Sequence, residues 1–272
     1  RFLATSARPT SARARHYTRR ILHFVYIFDC LQHWRSCKCA SYIYSLTLSE
    51  EFKGVKIYGA NPFNIQADLT LTESTWAFDS STDISSYPIL FKDVTLSFLS
   101  WTLTNSATLT LDNVTIPNQN TQSWALTIRT SASVVVTGNK TPWSNGAVTF
   151  QSSTPLTYSL SGLYLNDVLL GFENGSPEVT LTDIVWQGSQ HLTFYGSGGN
   201  GQLSLISCDL DLDPANSAIV LESPVISISF QHSNLQSTKK ILDWKLPPDS
   251  SGMYTMNTTL TADSSAIAVG TA

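Results

Sequence analysis

Charged side chains are scarce in this sequence of 272 residues, and their scarcity restricts the functions that fit it. Asp, Glu, Lys and Arg make up 13% of the chain, which is about half of the usual share in a globular protein. Ser and Thr make up a quarter of it, so we expect a surface of hydroxyl groups. After residue 40 the chain holds eight basic and nineteen acidic residues. This acidic body disfavours nucleic-acid binding.

Cysteines and long apolar runs are also few. Three of the four cysteines, Cys30, Cys37 and Cys39, lie before residue 45 and Cys208 stands alone after it, so the sequence shows no disulfide framework. No apolar run is long enough to predict a transmembrane helix. We also predict no cofactor and no bound metal.

Residues 1–45 form a basic and apolar leader that differs from the rest of the chain. Residues 1–40 hold eight basic side chains and one acidic side chain, a net charge of 8 − 1 = +7. The basic run is followed by the apolar segment Ile21–Leu31, which has the length of a signal-peptide core. A signal peptide, a transit peptide, a packed first helix and an incorrect start of the chain are the open alternatives.

A short pattern recurs through residues 46–272. "VTLTDIVW" at 179–186 and "LTLDNVTI" at 109–116 both place apolar residues in the order apolar-x-apolar-x-x-apolar-x-apolar. Copies of this template begin every 20–26 residues, at Leu69, Ile89, Leu109, Val134, Tyr158, Val179, Leu203, Ile228 and Tyr254. In the Val134 copy the last slots are Asn139 and Thr141, and Phe52, Val55 and Ile57 fit the last three slots of an opening copy. A period of this length is typical of a repeat architecture.

The break in the alternation predicts the architecture. Apolar-x-apolar is a short strand with one buried face, and the two-residue gap requires a corner before the next strand faces the same interior. Residues that tolerate unusual backbone angles precede the third apolar slot, namely Gly54, Asp93, Asn113, Gly162, Asp183 and Ser207. We predict an all-β fold, a parallel β-solenoid of nine to ten coils. A β-sandwich gives no reason for one corner at one period.

This repeat resembles that of the pectin-lyase-like superfamily, the right-handed parallel β-helix proteins, over residues 50–272. The resemblance implies a right-handed coil and, in the superfamily's enzymes, activity on acidic polysaccharides. Their hydrolase motifs, Asn-Thr-Asp, Asp-Asp, Gly-His-Gly and Arg-Ile-Lys, are absent. The lyase branch uses a basic residue beside calcium ligands, whereas Arg129 is the single arginine after residue 45.

The best acidic cluster is "CDLDLDP", in which Asp209, Asp211 and Asp213 alternate along a strand. Such carboxylates suit calcium binding or acid and base catalysis, but alternation with Leu210 and Leu212 also fits an ordinary exposed strand face. His191 and His232 have no nucleophile motif nearby, and we interpret them as surface or corner residues.

Two further features bear on the surface. Asn113, Asn139, Asn174 and Asn257 head acceptor sequons for N-glycosylation, which act only in a secretory pathway. Four aromatic residues lend themselves to stacking on sugar rings or to closing the core, namely Trp101, Trp124, Trp143 and Tyr195.

From these observations we expect a non-catalytic module that is secreted or on the cell surface, with a structural, adhesive or glycan-binding role. Its partners are expected to be carbohydrate or another surface protein. The alternative is a polysaccharide-degrading β-helix enzyme with Asp209 and Asp211 as its catalytic pair. We also expect the natural protein to continue past residue 272, because an uncapped solenoid end exposes strand edges.

Overall fold

The computed structural model describes residues 51–54, 56–59, 64–65, 68–117, 122–139, 141–173, 175, 177–195, 201–222, 225–245 and 257–269. They belong to one compact unit, Ser45–Ala272. The predicted leader at residues 1–45 lies outside the described residues.

The described residues form strands and no helices. The first twelve strands are β1 (Glu51–Lys53), β2 (Lys56–Gly59), β3 (Asn64–Ile65), β4 (Leu69–Thr72), β5 (Thr75–Ser85), β6 (Ile89–Lys92), β7 (Thr95–Asn105), β8 (Leu109–Asp112), β9 (Trp124–Thr130), β10 (Val134–Thr137), β11 (Trp143–Gln151) and β12 (Thr157–Ser161). The others are β13 (Tyr164–Glu173), β14 (Glu178–Thr182), β15 (Val185–Gly188), β16 (Leu192–Tyr195), β17 (Gly201–Ile206), β18 (Asp209–Leu212), β19 (Ser217–Glu222), β20 (Val225–Gln231), β21 (Asn234–Ser237), β22 (Lys240–Trp244), β23 (Asn257–Asp263) and β24 (Ala266–Val269).

The strands form two long sheets in which each strand pairs with the equivalent strand of the next coil. The first sheet has the order β1-β4-β6-β8-β10-β12-β14-β17-β20-β23, and the second has β2-β5-β7-β9-β11-β13-β15-β18-β21-β24. Three further strands continue the second sheet beyond a bend: β16 pairs with β13, β19 pairs with β16, and β22 pairs with β19. Every pairing named here is parallel. This arrangement confirms the predicted parallel β-solenoid, with ten strands, one per coil, in the first sheet; its right hand stays a prediction.

The second apolar slot of each copy forms one column inside the coil. Backbone register pairs Leu71 with Phe91, Phe91 with Leu111, and so on along the rod. The column continues through Val136, Leu160, Leu181, Leu205 and Phe230. These side chains are all buried. The template therefore identifies the core correctly.

The large aromatic side chains lie in the same interior. Trp101, Trp124 and Trp143 are each 1% exposed. Trp124 packs edge-on against Trp143 at 6.2 Å between ring centroids, and the indole N–H of Trp101 donates to Asp83 Oδ2 at 2.8 Å. The sugar-stacking interpretation of these three residues is therefore wrong, because their rings are part of the core. Tyr195 is half-buried.

The first corner has the same backbone conformation in every coil. Its residue has a φ between +48° and +68°, and the column consists of Gly54, Glu73, Asp93, Asn113, Gly138, Gly162, Asp183, Ser207, His232 and Ser264. From Gly54 to His232, the corner N–H donates to a carbonyl of the following coil at 2.6–3.1 Å. The corner thus changes the chain direction without losing its interstrand hydrogen bonds. Six of these residues are the predicted corner residues, and His232 also proves to be a corner residue.

Two copies of the template have a different register from the predicted one. Trp143 pairs with Leu165 and fills the fourth slot that the pattern gives to Thr141, which is exposed. The final copy begins at Leu260, which pairs with Ile228, and not at Tyr254. The spacing there is 260 − 228 = 32 residues, longer than any spacing in the predicted series. Both errors arise where a loop between strands lengthens and another apolar pair imitates the template.

The last described coil leaves core positions exposed. Leu260 is 51% exposed and Ile267 is 43% exposed, because no further strand covers β23 and β24 within the described ranges. The expected continuation of the natural protein stays a prediction.

The left-handed corner predicts a specific order of stability among Ser207 variants. Ser207→Val places a β-branched side chain at φ +54°, so we expect the free energy of unfolding to fall by about 2 kcal/mol. Ser207→Gly removes the strain and is expected to stay within about 1 kcal/mol of the parent. Urea unfolding measures both variants. The control is Ser204→Val in the adjacent strand, and an equal loss there contradicts the corner account.

The buried phenol of Tyr158 predicts a loss of stability at alkaline pH. Burial raises the pKa of Tyr158 from 10.0 to about 12, and a hydrogen bond with Ser152 lowers it by less. The neutral phenol is favoured in the fold, so its contribution is complete below pH 10 and is lost as the pH rises from 10 to about 12. Stability measured across this range is expected to fall less steeply in Tyr158→Phe. The same slope in both proteins contradicts the assignment.

Candidate functional site

The predicted acidic pair lies on the open outer face of β18. Asp209 and Asp211 are exposed, and Leu210 and Leu212 between and beyond them are buried. Asp209 Oδ1 accepts a hydrogen bond from Asn234 Nδ2 at 3.0 Å. Asp211 stands in register between Gln187 and Gln236. Neither carboxylate lines the recess or the groove described below, so nothing there excludes water from them.

The third member of the cluster, Asp213, belongs to a second corner of the coil. Its carboxylate accepts a hydrogen bond from the hydroxyl of Thr238 in the next coil. Within the described residues, no group of three or more His, Cys, Asp or Glu side chains is placed to hold a metal ion. Asp213 therefore connects two coils, and it does not join Asp209 and Asp211 in a calcium site.

Asp167 performs the same role in an earlier coil. Its Oδ1 accepts from the Ser189 backbone N–H at 2.6 Å and from Ser189 Oγ at 2.8 Å. Gly188 lies beside it with φ +110°, and a Cβ on Gly188 would come within 2.4 Å of Asp167 Oδ1. The corner therefore requires glycine at 188 and a small acceptor at 167.

His191 lies at the edge of a recess of about 420 Å³ on this corner, which we name the His191 recess. Its wall also includes Asp213, Ser217 and Lys245, which come from two later coils. Burial lowers the pKa of His191, and the positive charge of Lys245 lowers it further. The imidazole is thus held neutral at neutral pH. Sequence reasoning left His191 as a surface or corner residue and missed the recess.

A second concavity follows the third corner of four successive coils, and we name it the corner groove. It has a volume of about 620 Å³. Three columns of side chains line it: Ile84, Thr104, Arg129 and Gln151; then Ser85, Asn105, Thr130 and Ser152; then Ser86, Ser106, Ser131 and Ser153. Backbone register stacks the first column directly, so the groove runs along the axis of the rod.

The middle column builds the corner by bonding its own backbone. Ser152 Oγ accepts from the Thr154 N–H at 3.1 Å, and Thr130 Oγ1 accepts from the Ala132 N–H at 3.0 Å. Asn105 does the same through Oδ1 at 3.1 Å. Its Nδ2 is buried and has no hydrogen-bond partner among the residues that the structure describes. The floor of the groove therefore holds an amide donor without an acceptor.

Polar side chains at the edge of the groove form a chain of hydrogen bonds. Arg129 Nε donates to Gln151 Oε1 at 2.9 Å, and Gln151 Nε2 donates to Glu173 Oε2 at 2.7 Å. These bonds cross from coil to coil and fix the direction of the guanidinium. The guanidinium is exposed beside the groove.

The groove has a sequence signal that the apolar template does not register. A pair of small polar residues lies at the end of each long strand of these coils or directly after it, namely Ser85-Ser86, Asn105-Ser106, Thr130-Ser131 and Ser152-Ser153. In a chain with so many hydroxyl residues these pairs do not stand out until the strand ends are known.

Two of the predicted glycosylation sites use their amides in the fold. Asn113 Nδ2 donates to Asp93 Oδ1 at 2.6 Å, and Asn139 Nδ2 donates to the Tyr164 carbonyl at 2.9 Å. A glycan on either nitrogen competes with these bonds. Asn174 lies outside the described residues, and Asn257 begins β23. The sequons stay predictions.

No protein-family model, curated protein or solved structure matches this chain. The structure shows the parallel β-solenoid architecture, and membership of the pectin-lyase-like superfamily stays a prediction. A search of the described residues also finds no helix that is long and apolar enough to cross a membrane.

The two kinds of carboxylate predict different effects of substitution. Asp167→Ala removes the acceptor of two hydrogen bonds, so we expect the free energy of unfolding to fall by about 1–2 kcal/mol. Asp209→Ala removes one bond on an exposed face and is expected to change it by less than about 0.5 kcal/mol. Chemical unfolding compares the two variants. Equal losses contradict the assignment of Asp167 as the corner acceptor.

Proposed function

We propose that this chain is a non-catalytic β-solenoid module, secreted or on the cell surface, that binds an extended glycan along the corner groove. The observation that carries the proposal is the repetition of one polar surface in four successive coils. Ser86, Ser106, Ser131 and Ser153 occupy equivalent positions there, at strand spacings of about 4.8 Å. A ligand that repeats along its own axis suits a surface that repeats along the rod.

The chemistry of the groove fits sugar hydroxyl groups. Serine and threonine hydroxyls donate and accept hydrogen bonds, the Asn105 amide donates, and the Arg129 guanidinium donates in a planar fork. Ile84 supplies an apolar surface at one end. The core-forming tryptophans contribute no stacking surface here, so recognition rests on hydrogen bonds and on the shape of the groove.

The enzyme alternative has less support from the arrangement of its proposed pair. Asp209 and Asp211 project from one face of a strand, about 7 Å apart along it, which falls within the range of inverting glycosidases. A general acid at neutral pH needs a raised pKa, which enzymes obtain by burial. Both carboxylates are exposed on the face of β18.

Blocking the groove is expected to weaken glycan binding. Ser131→Tyr places a large side chain at the centre of the groove. We expect its affinity for the oligosaccharide that the parent protein binds to fall at least about tenfold, or 1.4 kcal/mol. The probes are cellohexaose, mannohexaose and an oligogalacturonate, measured by isothermal titration calorimetry on the full chain. The matched control, Ser227→Tyr, changes an exposed serine of β20 in the first sheet.

Two results contradict the proposal. The first is an oligosaccharide affinity that Ser131→Tyr leaves unchanged, or that Ser227→Tyr weakens as much as Ser131→Tyr does. The second is turnover of pectin or alginate, detected as reducing ends or unsaturated products, that Asp209→Asn abolishes. That second result supports the enzyme alternative.

A further inference from the structure

The His191 recess lies on a different corner from the groove and has a different composition. Its walls come from three coils: the turn Ser189–His191 before β16, the turn Asp213–Asn216 before β19, and Lys245 after β22. The Asp167 and Ser189 bonds and the Thr238 bond to Asp213 fix the first two walls. The Lys245 N–H donates to the Leu221 carbonyl at 2.9 Å, which holds the third. The recess is therefore formed before any ligand arrives.

The carboxylates near the recess already have partners. Asp213 accepts from the Thr238 hydroxyl. Asp243 stands in register beside Val220, a wall residue, and lies 3.9 Å from the Lys240 ammonium. The negative charges on this side of the rod are thus partly compensated by groups outside the recess.

Two hydrogen-bond donors of the recess, unlike these carboxylates, have no partner among the described residues. Ser217 is 1% exposed, and its hydroxyl has no hydrogen-bond partner in the described part of the chain. Lys245 forms no ion pair with a described carboxylate. Leaving a buried hydroxyl without a partner is unfavourable, so a ligand acceptor at this position would stabilise the bound state.

The lowered pKa of His191 indicates which charge lies near the recess. The charge that lowers the pKa of His191, after burial, is that of Lys245. Lys245, which lines the same recess, therefore places positive charge close to His191, and this charge favours an anion.

We propose that the His191 recess is a second binding site, which takes a small ligand with one carboxylate or phosphate group held by Lys245 and Ser217. The Asn216 and Gln190 amides, which also line the recess, are suited to the polar remainder of the ligand. The volume of about 420 Å³ admits a compact molecule and not a polymer. This site is independent of the corner groove.

The test uses three small probes and the full chain. We titrate glycerol 2-phosphate, lactate and glycerol, and follow the imidazole of His191 by NMR, assigned with a His191→Gln variant. Saturable binding of glycerol 2-phosphate or of lactate is expected, together with a higher pKa of His191, because the bound anion offsets the charge of Lys245. The anion that binds more tightly identifies the ligand as a phosphate or a carboxylate. Glycerol is expected not to bind.

Variants separate the recess from general surface charge. Lys245→Met is expected to weaken anion binding about tenfold or more, because a charge-assisted hydrogen bond is lost. Ser217→Ala removes a hydroxyl that has no partner in the described part of the chain, so we expect it to keep the fold and to weaken binding severalfold. Lys239→Met, which removes an exposed lysine outside the recess, is the matched control. The proposal is overturned when neither anion saturates, or when Lys245→Met and Lys239→Met bind alike.

Discussion

The fold depends on one backbone constraint: at the first corner of each coil, a single residue adopts a left-handed conformation and still pairs its N–H with the next coil. Ordinary L-residues avoid this region, at a cost of about 1–2 kcal/mol. Gly, Asn and Asp tolerate it best, and they hold six of the ten corner positions among the described residues. Because every corner turns the same way, consecutive short strands face one interior, and their apolar side chains stack into a continuous core. Without the corner the two halves of a repeat would face opposite sides.

The same geometry decides where chemistry is available. Strand side chains alternate between the core and flat outer faces, and flat faces such as that of Asp209 and Asp211 leave side chains open to water. The second and third corners differ, because side chains from successive coils line concave surfaces there. The His191 recess and the corner groove both lie at these corners. Their walls are held by hydrogen bonds between coils, such as those from Ser189 to Asp167 and from Arg129 to Gln151. The stacking of the coils therefore fixes the positions of the side chains in both candidate sites.

The core and the first corner follow from the sequence because each is set by neighbours within one repeat. Leu71, Leu111 and Leu181 recur at a fixed place in the template, and the corner residue precedes the third slot. The register of Trp143 and Leu260 could not be predicted from the sequence, because the loops vary in length and several apolar pairs fit the same template. The candidate sites follow least. Each site combines residues that are distant in sequence, and only the stacking of coils of unequal length brings them together. The corner groove combines Asn105 with Arg129, and the His191 recess combines His191 with Ser217 and Lys245.

Distances between spin labels along one column test the stacking most directly. Labels replace Thr70 and, in turn, Thr180, Ser204 and Ser229, which occupy one outward column of the first sheet, in a chain whose cysteines are replaced. Successive coils are about 4.8 Å apart, so we expect separations of about 24, 29 and 34 Å that rise in this order. Separations that fail to increase from Thr180 to Ser229 are the result that contradicts a stacked solenoid.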